Sequence, residues 1–364
     1  MLRPKKSDVF FRVILCLGII IILGIAVVFV ARAIENSRVK DFWGDESFGL
    51  STAVGMTYNQ LLSSGVKGQG SPAPLDYLFL KFLDSVYKPF FVNIPYNVYF
   101  RINSIFWDLT GGLLIAFLSL RVFYRRKDNK GIFVLQSALA CLALLIFYFT
   151  EDNMHYAVET RPYALWNSLW YVMLGLVMLR GVWVWSLLTG ILLALTSLGA
   201  LVQISAMALS QFIFRVIDRE WLLDTWIKMM LIFLLPLLIA VYYALHIGQF
   251  FCIKTMDVYT MYTTEFLLFW ISQWTIPVLS VAGVLLTAWN RQWRGCTVVF
   301  LTMLLLYCIS PAINSRVMLN GFFFAPRQYL YYDLVFPLFC LMLALVLSQY
   351  WMMVFKGQGN DKFK

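Results

Sequence analysis

The sequence predicts an all-α fold: a polytopic transmembrane helical bundle of about ten spanning helices, with interfacial helices in a long first external loop. Three observations predict it. Of 364 residues, 61% are hydrophobic and 13% charged, with a mean hydropathy of +0.75, whereas soluble domains carry about 25% charge. Apolar runs of roughly 20 residues, the length that crosses a bilayer's hydrocarbon, recur along the chain. Lys and Arg gather in the short connections between alternate runs, the bias that orients such a protein. A water-soluble fold of this length could not hide so much apolar surface.

The first run, Val13 to Val30, follows Arg3, Lys5 and Lys6 and precedes Ala31-Arg32-Ala33, which has the small-x-small form of a cleavage site. At about 18 residues it exceeds the 7–15 of a signal peptide's apolar core, so it reads as an uncleaved first crossing. Crossings are expected at 10–32, 103–123, 131–150, 163–179, 182–198, 200–215, 226–247, 265–289, 295–310 and 329–353. The chain, 1–364, reads as one domain, and its largest connection is the first external loop, 33–102.

Charge tests this plan. With a cytoplasmic N-terminus, 18 of the 29 Lys and Arg residues fall on the inner side, including Arg121–Lys130, Arg180, Arg215, Arg219, Lys228, Arg291 and Arg294. The expectation is a multi-pass protein of the cell (inner) membrane, both termini in the cytoplasm. The net charge of +10 thus belongs to loops. No basic stretch alternates with exposed aromatics, so nucleic acid is not expected as a partner. The cysteines Cys16, Cys141, Cys252, Cys296, Cys308 and Cys340 show no C-x-x-C pair, and read as small apolar residues.

The same topology sends Glu35, Asp41, Asp45, Glu46, Asp76, Asp84, Glu151, Asp152, Glu159, Asp257 and Glu265 outward, with Asp108 and Asp333 inside helices. Polar chemistry is therefore expected at the outer face. Within the first loop, the stretch from Leu75 to Phe91 interrupts apolar residues with Asp76, Lys81, Asp84 and Lys88 at near-helical intervals. That pattern predicts a helix lying in the interface. Gly65, Gly68, Gly70, Pro72 and Pro74 mark an irregular approach to it.

Three stretches could carry chemistry. In Asp41-Phe42-Trp43-Gly44-Asp45-Glu46, adjacent carboxylates in a dry site cannot both ionise cheaply. One could accept the proton of an attacking hydroxyl; the alternative is that both acids open a helix at Ser47–Gly55. In Glu151–Tyr163, Glu159 and Arg161 stand before Pro162, a natural first residue of a helix. The planar Arg161 fork suits a phosphate, or it pairs with Glu159 or Asp152; His155 lies in the same stretch. In Pro326-Arg327-Gln328-Tyr329, a guanidinium precedes the last crossing, and Asp333 follows inside it. All three stretches emerge on one face.

These residues resemble the GT-C glycosyltransferases, in the branch of protein O-mannosyltransferases, aminoarabinose transferases and lipopolysaccharide-core transferases. The resemblance rests on Trp43-Gly44-Asp45-Glu46, Ser71-Pro72-Ala73-Pro74-Leu75-Asp76-Tyr77-Leu78 and Glu159-Thr160-Arg161-Pro162-Tyr163. Arg327-Gln328-Tyr329-Leu330 is similar to a late R-Y-L segment of those enzymes. It implies a polyprenyl-phosphate monosaccharide donor and an acceptor hydroxyl on a lipid, glycan or protein. It further implies that Asp45 is the general base and Glu46 its partner or a metal-pocket carboxylate, and that Arg161 and Arg327 bind the donor phosphate. Trp43, His155, Glu159, Tyr163 and Tyr329 would line the pocket, and a divalent metal ion, if used, would sit at Asp45 and Glu159.

The sequence departs from the family in its Pro-Ala-Pro step before Asp76, and in lacking the His-Tyr pair that many relatives carry after the fifth crossing, where Gln203 is the nearest polar residue. An O-antigen polymerase or ligase would share the topology but needs a large late external loop, and 311–328 is short. A polytopic transporter or lipid flippase would show matching halves with polar residues at midplane; none are visible.

Overall fold

The computed structural model describes residues 6–66, 73–124, 151–178, 183–197, 199–246, 274–289 and 293–319, with single helical residues between 138 and 149 and at 271. Every regular element among them is helical. They are α1 (Lys6–Val39), α2 (Gly44–Gly55), α3 (Tyr58–Ser64), α4 (Leu75–Val86), a π-helical turn (Tyr87–Phe91), α5 (Tyr96–Tyr124), α6 (Glu151–Ala157), α7 (Tyr163–Met178), α8 (Trp183–Ala194), α9 (Ala200–Ile217), α10 (Leu223–His246), α11 (Thr275–Thr287) and α12 (Arg294–Leu319).

Three helices among the described residues are long and apolar enough to cross a bilayer: Arg12–Val39, Ala200–Ile217 and Leu223–Tyr243. Their outward faces are apolar, as Leu17, Ile20, Leu23 and Val27 on α1 and Leu234, Leu238 and Leu245 on α10 are exposed. Such faces mark a membrane-associated protein. Helices α7, α8 and α11 are apolar but shorter, at 16, 12 and 13 residues. The expected crossing at 329–353 lies outside the described residues, and so does most of 131–150.

Some boundaries move. Helix α1 continues to Val39 instead of stopping at 32, because Ala33 and Ser37 are buried and the Ser37 hydroxyl donates to the Ala33 carbonyl at 2.7 Å. Helix α12 continues past 310, through Pro311, to Leu319. A stretch assigned to a late loop is thus partly helix.

Helix α5 is flanked by α1 and α7; α7 also meets α8 and α12; α8 packs on α10, and α9 on α10 and α12. Close approaches explain several glycines. A Cβ on Gly112 would lie 2.4 Å from the Tyr148 ring, itself stacked on Phe29 at 4.3 Å. On Gly190 it would meet Pro236, inside α10, at 2.9 Å. Trp170, Met173, Leu144 and Phe29 fill the main core. A second small core forms where α2, α3 and α4 fold onto the start of α5, through Leu50, Leu61, Tyr77, Leu80 and Phe100.

The helix expected over 75–91 is present as α4 and the π turn, with one correction. Asp76, expected on a polar face, is buried, and Phe82, Phe90 and Val92 are exposed. Lys81 turns back to the end of α2, donating to the Val54 carbonyl at 3.0 Å, as a cation at a helix C-terminus does.

Candidate functional site

Trp43 is the N-cap of α2. The acids Asp45 and Glu46 therefore do occupy a helix's first turn, where the dipole favours them. Glu46, at the third helical position, accepts from the Trp43 N–H at 3.3 Å. Its side chain is fully buried and is taken up by longer-range partners. Arg101 Nη2 lies 3.1 Å from Oε2, and the Thr160 N–H donates to Oε1 at 2.7 Å.

The Arg101 guanidinium completes this knot. It donates to the carbonyls of Ser37 at 3.1 Å and Asp41 at 3.0 Å, and to that of Lys40. It also stands over the Phe42 ring at 4.8 Å. One buried cation thus ties the end of α1, the α1–α2 connection and α5 together, and Glu46 carries the tie to Thr160. A buried ion pair holds best where its remaining donors and acceptors are also met, and of the Arg101 guanidinium nitrogens only Nε lacks a hydrogen-bond partner among the described residues.

The second motif seats against the first. The Arg161 guanidinium lies 5.4 Å from the Trp43 ring centre and 5.1 Å from that of Tyr163, and Arg161 is buried. Arginine over an aromatic face is attracted by the ring's quadrupole. Glu159, also buried, has Lys40 Nζ at 3.5 Å and His155 Nε2 at 3.2 Å from the same oxygen. Its backbone carbonyl accepts from the Ser104 hydroxyl of α5. Arg161 also meets Glu159 through the backbone, its N–H donating to the Glu159 carbonyl at 2.8 Å. Tyr163 is buried, whereas Trp43 and the His155 side chain keep exposed surface.

Two further buried acids stand nearby on or against α5. Asp76 Oδ1 accepts from Asn103 Nδ2 at 2.8 Å, while Oδ2 has no hydrogen-bond partner. Burial pushes the Asp76 carboxyl up to about 7, the Asn103 bond only partly opposing it. Asp108 accepts from Asn153 at 2.9 Å, linking α5 to α6. Gln203, the polar residue nearest the departure noted above, accepts from the Trp166 indole at 2.8 Å.

The geometry thus brings together Trp43, Glu46, His155, Glu159, Arg161 and Tyr163, from stretches more than a hundred residues apart. Asp45 is the second residue of α2. Arg327, Tyr329 and Asp333 lie outside the described residues. Among the described residues no group of three or more His, Cys, Asp or Glu side chains is placed to hold a metal ion. Sequence reasoning missed Arg101 and Lys40. The available signal was an arginine opening the apolar run Tyr99-Phe100-Arg101-Ile102, since a charge there needs a partner.

Fold and site together define a helical, membrane-associated protein with a buried knot of charge at one end of its bundle. No protein-family model matches the sequence, and no curated protein matches it.

Proposed function

We propose that the chain is a membrane glycosyltransferase of GT-C type. It moves a monosaccharide from a polyprenyl-phosphate donor to an acceptor hydroxyl at the outer face of a bundle of about ten crossings. The observation that carries this reading is the seating of Arg161 against Trp43, with Glu46 bonded to Thr160. The two stretches that most resemble the family form a single locality. The opposite end of the bundle carries Arg215, Arg219, Lys228 and Arg294, and the positive-inside rule makes that end cytoplasmic.

The chemistry follows from the residues. The acceptor oxygen forms a bond to the anomeric carbon as the carbon–phosphate oxygen bond breaks, and the electron pair leaves on the phosphate. Asp45 takes the acceptor proton. Arg161 and Lys40, with Arg327 by resemblance, offset the leaving charge, and exclusion of water strengthens each of these attractions. A single displacement inverts the anomeric centre. Glu46 has a positioning role, because its oxygens are already bonded to Arg101 and Thr160.

The test is sugar transfer from polyprenyl-phosphate sugars by the purified protein in proteoliposomes, lost in Asp45→Asn. Transfer retained in that variant removes Asp45 as base. Movement of a substrate across the liposome without transfer would establish a transporter instead.

A further inference from the structure

The end of the bundle away from Arg161 holds a second polar cluster, which sugar transfer does not use. A cavity of about 360 Å³ opens there between the ends of α7, α8, α9, α10 and α12. Its charged lining is Arg215, Asp218, Glu220, Asp224, Lys228 and Arg294, and Phe214, Met229 and Ile232 supply apolar wall. Arg294 Nε donates to Asp218 at 2.6 Å, and its Nη2 reaches the other oxygen of the same carboxylate. Arg215 Nη1 lies 3.0 Å from Glu220, and Lys228 Nζ lies 2.5 Å from Asp224. The α12 backbone closes against α7 here: a Cβ on Gly295 would lie 2.5 Å from the Val177 carbonyl.

Two features specify the occupant. Each lining cation is answered by a carboxylate, so a purely anionic ligand would meet as much repulsion as attraction. A ligand carrying phosphate and ammonium together meets both signs favourably. The second feature is depth. Trp185, Trp221 and Trp289 are exposed at this end, beside exposed Ile217, Leu222 and Leu223. Tryptophans gather where a bilayer's headgroups begin. The volume, near the lower limit for small-molecule sites, takes a headgroup and its first methylenes.

We propose that this cavity binds the phosphate–ammonium headgroup of a zwitterionic phospholipid. The phosphate lies toward Arg215 and Arg294, and the ammonium toward Glu220 and Asp224. The inference needs the helices to lie in a bilayer but is independent of sugar transfer, so its failure would leave that reading intact.

The experiment uses the full chain, delipidated in detergent and incubated with phosphatidylethanolamine, with phosphatidylglycerol, or with both, then weighed by native mass spectrometry. Ser186→Phe, which fills the cavity, and the double variant Asp224→Asn/Lys228→Gln, at an exposed pair, are run beside it. Phosphatidylethanolamine is expected to be retained over phosphatidylglycerol, the double variant to weaken that retention about tenfold, the effect of losing one charge-assisted bond, and Ser186→Phe to weaken it at least as much by filling the space. If Ser186→Phe fails to fold, the double variant decides alone. Equal or greater retention of phosphatidylglycerol overturns the proposal, as does retention unchanged by the variants. Displacement of the lipid by millimolar inorganic phosphate also overturns it, by revealing a site for a free anion.

Discussion

Arg101 Nη2 and Glu46 Oε2 stand 3.1 Å apart with neither side chain exposed, and the two residues are 55 positions apart in the chain. Removing one partner of a buried pair leaves the other charge uncompensated, at a cost of about 3–5 kcal/mol. Glu46→Gln, which keeps an acceptor for the Thr160 N–H, is therefore expected to lower the unfolding temperature in detergent sharply. Glu46→Met combined with Arg101→Met is expected to recover part of that loss. A Glu46→Gln protein as stable as the parent would show that the pair contributes little.

Arg161 is held between two aromatic rings, and both the stacking and a forked contact to phosphate need a planar cation. Arg161→Lys keeps the charge and loses the plane. The donor KM is expected to rise about tenfold with kcat little changed, the signature of lost ground-state binding. Arg161→Gln, which also removes the charge that offsets the leaving phosphate, should lower kcat as well. Steady-state kinetics over donor concentration check this, and an unchanged KM in both variants would remove Arg161 from the donor site.

Asp76 gives the protein a pH dependence of known sign. The folded carboxyl titrates at about 7 against an ordinary value of 3.8, so the folded state holds a proton that the unfolded state has released between these values. Stability contributed by Asp76 is full at acid pH and declines as pH rises from about 4 to about 7, then levels. Asp76→Asn should flatten that slope in thermal unfolding measured across the interval. A slope identical in the variant would assign it to another group.

Gly112 and Gly24 make a matched pair. A methyl on Gly112 collides with the Tyr148 ring, which is pinned by Phe29 and by a 2.6 Å bond from its hydroxyl to the Leu109 carbonyl. Gly112→Ala is expected to cost about 1–3 kcal/mol through overpacking. Nothing lies within 4 Å of a methyl on Gly24, so Gly24→Ala should be neutral or mildly stabilising. Unfolding temperatures of the two variants in one detergent test the contrast.

The helical class, the helix over 75–91 and the start of α7 at Tyr163 were legible because each depends on local pattern: apolar run length, charge spacing and a preceding proline. Glu46 was legible as an acid but not as the partner of Arg101. That pairing joins α2 to α5, and no periodicity encodes it. Asp76 misled for a related reason. Its spacing with Lys81 and Asp84 describes a polar stripe, yet Asn103 and the underside of α4 claim it. Lys40, which looks like an ordinary loop charge, reaches Glu159 because α1 runs seven residues beyond the crossing expected to end at 32 and delivers its end to the stretch after α6.

The segment between α1 and α5 is fastened to the bundle at two separate points. Tyr243 of α10 donates to the Leu62 carbonyl at 2.7 Å, and the Leu75 N–H bonds to the Leu195 carbonyl at 2.9 Å. Leu62 and Leu75 are thus moored to different parts of the bundle. While both bonds persist, α2–α4 cannot lift away from the bundle as one piece; under the proposed function, a long-chain donor would therefore enter sideways from the lipid.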